Sequence, residues 1–233
     1  MSIASEISRL QGVKADILQA ISDKGVTVPA DSMLDDCPGL IADISGGGAN
    51  EGLLKLGPIY YPYREINGKL WLLCNLAWVP DGVTLNPVSW GNTIPAACVY
   101  GGNNNGYYLY GLYYNYQAIG VVNGALSDGW RIATKSDWDN LFAYLGGGGT
   151  ASLKLNSGFS PNDGTNTEGF SLYALGVRSG SNMVSNGSYS FYPLSSDGTN
   201  ATCYRIGTGS NGITEVTRTL SSFGCTLRLC KDT

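Results

Sequence analysis

The chain contains no histidine. That absence excludes Ser-His-Asp and Cys-His nucleophile systems and removes imidazole from the possible metal ligands. Charge is scarce as well. Asp, Glu, Lys and Arg supply only 14% of the 233 residues, about half the usual share. With a net charge of −4 and no basic stripe to neutralise phosphates, nucleic acid is not an expected partner. There is no polybasic or amphipathic membrane segment. Glu6, Arg9, Lys14 and Asp16 interrupt the apolar residues at the N-terminus, so neither a signal peptide nor membrane insertion is expected there. CxxC pairs are missing too. Cys37, Cys74, Cys98, Cys203, Cys225 and Cys230 are scattered, which suits buried free thiols acting as small hydrophobes. One or two disulfides are the alternative.

What is present is glycine (33), tyrosine (15 against 5 phenylalanines) and a 43% hydrophobic share, enough for one large or two small domains. The best-specified stretch is Gly129–Gly146. Thr134 precedes Asp137 by three positions, a capping box, and Trp138, Leu141, Phe142 and Leu145 then form one apolar helix face. The spacing predicts a helix over Lys135–Leu145 that buries Trp138 and Leu141 against a sheet. Asn67-Gly68 between Pro58–Ile66 and Lys69–Val79 predicts a hairpin with a type I′ turn. Ser171–Val177 and Cys203–Ile206 read as short strands. Phe223–Cys230 reads as a last strand, with Cys225, Leu227 and Leu229 on one face and Thr226, Arg228 and Cys230 on the other. Residues 100–117 carry seven tyrosines, flanking a short strand or helix from Tyr107 to Ile119.

The first 45 residues have a different texture. Ile3, Ile7, Leu10, Lys14, Ile17 and Ile21 fall on alternating four- and three-residue steps, a heptad seam whose isoleucines favour three or more strands. A plain amphipathic helix folding onto the next one is the alternative. Ser32 and Asp35 predict a second capping box ahead of Leu34, Cys37, Leu40, Ile41 and Ile44, with Pro38 early in that helix. The expected organisation is a helical attachment and oligomerisation module over 1–45, a glycine-rich linker over 46–54 and one domain over 55–233.

Tyr110-Gly-Leu-Tyr-Tyr-Asn115, Gly129-Trp-Arg-Ile-Ala-Thr-Lys-Ser-Asp-Trp138, Gly169-Phe170, Ala174-Leu-Gly-Val-Arg178, Ser195-Ser-Asp197 and Phe223-Gly-Cys-Thr-Leu-Arg-Leu-Cys-Lys-Asp232 follow in that order. Over residues 58–232 this set resembles the Fibrobacter succinogenes major paralogous domain. It departs at Ala133, where that pattern has proline, and at Tyr192-Pro-Leu194, where a tryptophan precedes the serines. The resemblance implies an α+β, C-type-lectin-like fold: short twisted, mostly antiparallel strands, one or two helices and long loops, behind a small N-terminal helical module. Formylglycine-generating enzymes and the variable proteins of diversity-generating retroelements look like branches of the same fold. Residues 1–48 resemble helical segments that open bacteriophage tail-fibre and head-fibre proteins. Together they imply a phage fibre or adhesin made in the host cytoplasm and carried on a virion protein that docks residues 1–45. It is expected to be a homotrimer seamed by Ile3, Ile7, Leu10, Ile17 and Ile21.

An enzyme is not expected. The formylglycine-generating relatives use paired cysteines, whereas Cys225 and Cys230 on one strand would face opposite sides. Asp137 and Asp139 are accounted for by capping and an exposed helix face. Asn162, Asp163, Asn166 and Glu168 are the only dense oxygen-ligand cluster, and a polar turn explains them, so no metal and no cofactor is expected. Surface recognition is left. Tyrosine with Asn, Ser and Gly is the vocabulary of binding loops. The expected contact residues are Tyr107, Tyr108, Tyr114 and Tyr116 from the tyrosine segment, and Asn182, Tyr189, Asn200, Tyr204 and Asn211 from the later loops. Two functions stay open: an adhesin whose lectin-like tip binds a host-surface glycan or protein, and a head-fibre or capsid-decoration protein whose fold mainly makes subunit contacts.

Overall fold

The computed structural model describes residues 3–23, 26–42, 51–87, 90–91, 93–99, 110–146, 153, 164–180, 182–184, 187–207 and 212–233. The chain divides into two compact units, Met1–Leu54 and Lys55–Thr233. The class is α+β.

In the first unit a helix, α1, spans Ile3–Ser22. A 3-10 turn, Leu34–Asp36, leads into a second helix, α2, Cys37–Ala42, with Pro38 in its first turn, where a missing N–H costs nothing. The cap differs from the expected Ser32/Asp35 pair. Asp36 accepts from the Met33 N–H at 2.6 Å, because the 3-10 turn puts Asp36, not Asp35, three residues past that open donor, and Ser32 is buried. Ile21, Val26 and Cys37 form a small core, with Ile17, Leu18, Val28 and Leu40 packed on it. The other end of α1 has no such cover: Ile3, Ile7 and Leu10 are exposed.

The described strands, β1 at the boundary and the rest in the second unit, form three mostly antiparallel sheets. The first orders Glu51–Leu56 (β1), Ile59–Glu65 (β2), Lys69–Leu72 (β3), Leu229–Asp232 (β14) and Arg131–Ile132 (β7). The β2–β3 hairpin turns as expected: Asn67 and Gly68 have φ of 54° and 72°, and Ile66 N–H donates to Lys69 O at 2.8 Å. β3 stops at Leu72 rather than Val79. The chain bends there because the buried Asn75 side chain donates to Tyr110 O (3.1 Å) and accepts from Tyr192 and Arg228 (both 2.9 Å). β14 pairs with β3, Cys230 opposite Trp71, so the two ends of the domain close on each other.

The second sheet orders Thr84–Leu85 (β4), Ala96–Val99 (β5), Leu112–Asn115 (β6), Phe223–Cys225 (β13), Val177–Ser179 (β8) and Asn182–Val184 (β9). The expected single strand Phe223–Cys230 is therefore two, β13 and β14, in different sheets. All eight residues are buried, so the two-faced alternation is absent. The break serves Arg228, whose guanidinium donates to Leu72 O (3.1 Å), Phe170 O (2.8 Å) and Asn75 Oδ1 (2.9 Å) and lies over the Phe170 ring. Ser171–Val177 is irregular, since Asn166 Oδ1 takes the Ser171 N–H at 2.8 Å. The third sheet is Tyr189–Ser196 (β10), Asn200–Gly207 (β11) and Ile213–Thr219 (β12), which contains the expected Cys203–Ile206.

Among the described residues two further helices pack on the sheets. Tyr116–Ala125 (α3) follows β6 directly, so the described part of the tyrosine segment is strand and then helix. Lys135–Tyr144 (α4) has the expected capping box, with the Thr134 N–H donating to Asp137 at 2.7 Å. Trp138 is buried at the centre of the core, its ring 4.7 Å from Tyr192, 5.2 Å from Trp71 and 5.9 Å from Phe170. All six cysteines are free, and five are buried.

Candidate functional site

Asn115 sets the position of α3. It is fully buried; its Oδ1 accepts from Ala118 N (2.9 Å) and Ala96 N (3.0 Å), while its Nδ2 donates to Gly91 O and Ile94 O at 2.6 and 2.7 Å. One buried amide thus caps the helix and ties it to β5. Opposite, β10 carries Pro193 and a register break between Pro193 and Ser195, a bulge that re-aims the strand. Between α3 and this bulge lies a groove of about 500 Å³. Tyr116, Gln117, Ile119, Gly120 and Asn123 form one wall, and Pro193, Leu194, Ser195, Ser196 and Gly198 another. Ile132, Ala133, Thr134 and Leu220 complete it. The two places where the sequence departs from the resembled pattern, Ala133 and Tyr192-Pro-Leu194, meet here through Ala133, Pro193 and Leu194.

The described lining carries no carboxylate, amine, guanidinium or thiol. Its polar groups are amides and hydroxyls on an apolar floor. Asn123 Oδ1 is spent on the Ile132 N–H at 3.0 Å, which leaves its NH₂ as donor. Thr134 is spent on the Asp137 cap. The Tyr116 hydroxyl has no hydrogen-bond partner among the described residues. Gly120 is exposed, and a Cβ built there would meet no atom within 4 Å.

Behind Thr134 four charged side chains form a clasp. Asp137 pairs with Arg131 and with Lys69 (3.1 Å), and Lys69 and Arg131 also reach Asp232. Burial alone would raise the Asp137 carboxyl, but the Arg131 guanidinium, the Thr134 donors and Lys69 hold it well below the usual carboxylate range. Burial, with Asp137 nearby, pushes the Cys230 thiol up to about 12. The clasp ties β3, β7, β14 and α4 together. Its partners are used on each other.

The expected contact residues that are described lie in different surroundings. Tyr107, Tyr108 and Asn211 lie outside the described residues. Tyr114 is fully buried, its hydroxyl donating to Trp78 O at 2.7 Å, and so offers no surface. Tyr204 is buried too, its hydroxyl held between Asp139 and Lys135. Asn200 is half-buried and closes a turn on Asp197. Tyr189 lies under the Arg205 guanidinium, 4.6 Å from its ring centroid, and Asn182 is exposed on β9. Of the set, only Tyr116 lines the groove. Gln117, Asn123 and Ser195 were not expected. For Gln117 and Asn123 the one sequence signal was the Tyr-Tyr-Asn115 cap, which promises a helix start without saying what that helix faces, and Ser195 was visible only as part of the Ser195-Ser-Asp197 motif. In the polar cluster, Asn162 and Asp163 lie outside the described residues, and Asn166 is spent on its turn. Among the described residues no three Cys, Asp or Glu side chains gather as a metal site.

A family model described as the Fibrobacter succinogenes major domain matches residues 65–230. No curated protein and no solved structure matches the chain.

Proposed function

We propose that this chain, which belongs to the Fibrobacter succinogenes major domain family, is a bacteriophage fibre or adhesin protein whose lectin-like unit binds a host-surface receptor, glycan or protein, by contact. The observation that carries the reading is the groove between α3 and the β10 bulge. It is of ordinary ligand-site size and partly apolar, and its polar groups are neutral. Such a lining suits a neutral polyhydroxylated ligand: Asn123 and Ser195 supply hydrogen bonds, and Tyr116 supplies a ring with a hydroxyl. None of these described groups is an acid or base at neutral pH, so recognition rather than catalysis is the proposed role. The exposed Ile3–Ile7–Leu10 end of α1 supports the second part of the reading. It is an apolar seam at heptad spacing, suited to joining three copies of the chain into a fibre whose first 45 residues dock on a virion protein.

The decoration-protein reading draws on Leu85 and Ile94, large apolar residues exposed beside β4 and β5 that would suit a subunit contact. The test is binding of the full chain to a panel of immobilised neutral oligosaccharides, with light scattering alongside. Binding by a homotrimer supports the adhesin. Assembly without binding to any of the panel favours decoration.

A further inference from the structure

A second cleft, of about 310 Å³, has the opposite character. Arg178 and Arg218 both line it, with the hydroxyl residues Ser179, Thr219 and Ser222 and an apolar wall at Val184. No acidic residue is in its described lining. The two arginines come from different sheets, Arg178 from β8 and Arg218 from β12. Each guanidinium lies over an aromatic ring, Arg178 over Trp90 (5.0 Å) and Arg218 over Phe191 (5.5 Å). Stacking fixes the plane of a guanidinium and leaves its edge of N–H donors for a ligand. Arg178 also reaches Cys98, and one Arg218 nitrogen makes a long contact, 3.4 Å, to the Thr217 carbonyl.

Among the described residues, neither arginine has an ion-pair partner. This contrasts with the clasp, where Arg131 and Lys69 are neutralised by Asp137 and Asp232. The nearest acid on β12, Glu215, is paired with Lys135. Arg178 Nε is buried with no hydrogen-bond partner. A half-buried guanidinium without a counter-ion has lost part of its hydration and gained no charge in return. In a chain of net charge −4, two of them on one cleft form a local inversion of sign.

We infer that this cleft is a binding site for an acidic sugar unit, a ring bearing a carboxylate. The planar carboxylate matches a guanidinium fork, and charge-assisted bonds of that kind are the strongest neutral-pH contacts available to these side chains. The three hydroxyls accept and donate to ring hydroxyls, and the valine wall takes the C–H face. The volume holds one sugar ring and little more. The site is independent of the neutral groove, so either assignment can fail alone.

The test is a titration of the full chain, followed by NMR or calorimetry, with D-glucuronate, D-glucose and sodium sulfate, each at low and at high salt. Glucuronate binds saturably and more weakly at high salt, glucose binds at least about tenfold more weakly, and sulfate binds less well than glucuronate. Arg218→Gln weakens glucuronate binding by roughly tenfold or more, Arg218→Lys recovers only part of it, and the melting temperature stays near that of the parent. Gly120→Leu, which places bulk on the neutral groove, leaves glucuronate binding unchanged. Equal binding of glucose and glucuronate, equal binding of sulfate and glucuronate, or an Arg218→Gln chain that binds as the parent does, overturns the assignment.

Discussion

The two units treat the same kind of residue differently. In Lys55–Thr233 the large apolar side chains close on one another: Trp71, Trp138, Phe170 and Tyr192 are each at most 1% exposed. In Met1–Leu54 the corresponding residues run out of neighbours, and Ile3 is 82%, Ile7 51% and Leu10 45% exposed. Both segments have apolar faces at regular spacing. The longer one has enough chain to cover its own, whereas a module of about 50 residues does not. The uncovered end of α1 is therefore the face that the proposed trimer would bury.

The largest expected effect sharpens the self-sufficient side of this contrast. Trp138→Ala empties a site shared by four aromatic rings and costs about 3–5 kcal/mol in denaturant unfolding. Leu10→Ala on the open end of α1 changes the stability of the larger unit by less than about 0.5 kcal/mol. Next comes the clasp. Asp137→Asn leaves Lys69 and Arg131 without their buried partner and costs about 3 kcal/mol, the lower end for a broken buried pair because Arg131 is partly solvated. The pH dependence follows from the same group. Its folded pKa is depressed, so its contribution is fully present above the ordinary value of 3.8 and is lost as pH falls from there toward the folded value. Unfolding free energy measured from pH 6 down to pH 2 shows this acid loss in the parent and a flatter profile in Asp137→Asn.

The smallest effect on stability separates the units most cleanly. The proposed fibre predicts that the full chain sediments as a trimer and that Ile7→Asp combined with Leu10→Asp converts it to a monomer while the melting of the larger unit stays in place. A monomeric parent chain, or a double variant that remains a trimer, breaks the comparison.

What could be read in advance was local. The Asn67-Gly68 hairpin and the Thr134/Asp137 capping box are decided within four residues, and both form as expected. Their neighbours supply most of the physics. The strand over Phe223–Cys230 failed because its continuation depends on Arg228, whose partners Leu72, Asn75 and Phe170 lie more than 50 positions away. Two of the tyrosines expected at the surface lie inside for a similar reason. Tyr114 and Tyr204 are buried because each hydroxyl finds a partner inside, at Trp78 O and between Asp139 and Lys135, and composition says nothing about where those partners are. The groove joins residues near 120, 133 and 195, so no single window of sequence contains it. The departures at Ala133 and Leu194 were visible, but only the fold shows that they line one space.

The most direct test of contact recognition at that groove is a comparison of the parent chain with Gly120→Leu on the same panel of neutral oligosaccharides, with melting recorded in parallel. Position 120 is a helical glycine facing open space, so the substitution raises helix propensity, by up to about 1 kcal/mol, while adding bulk to the lining. The account predicts an unchanged or higher melting temperature together with a loss of binding of about tenfold or more. A variant that is as stable as the parent and binds the panel equally well contradicts it.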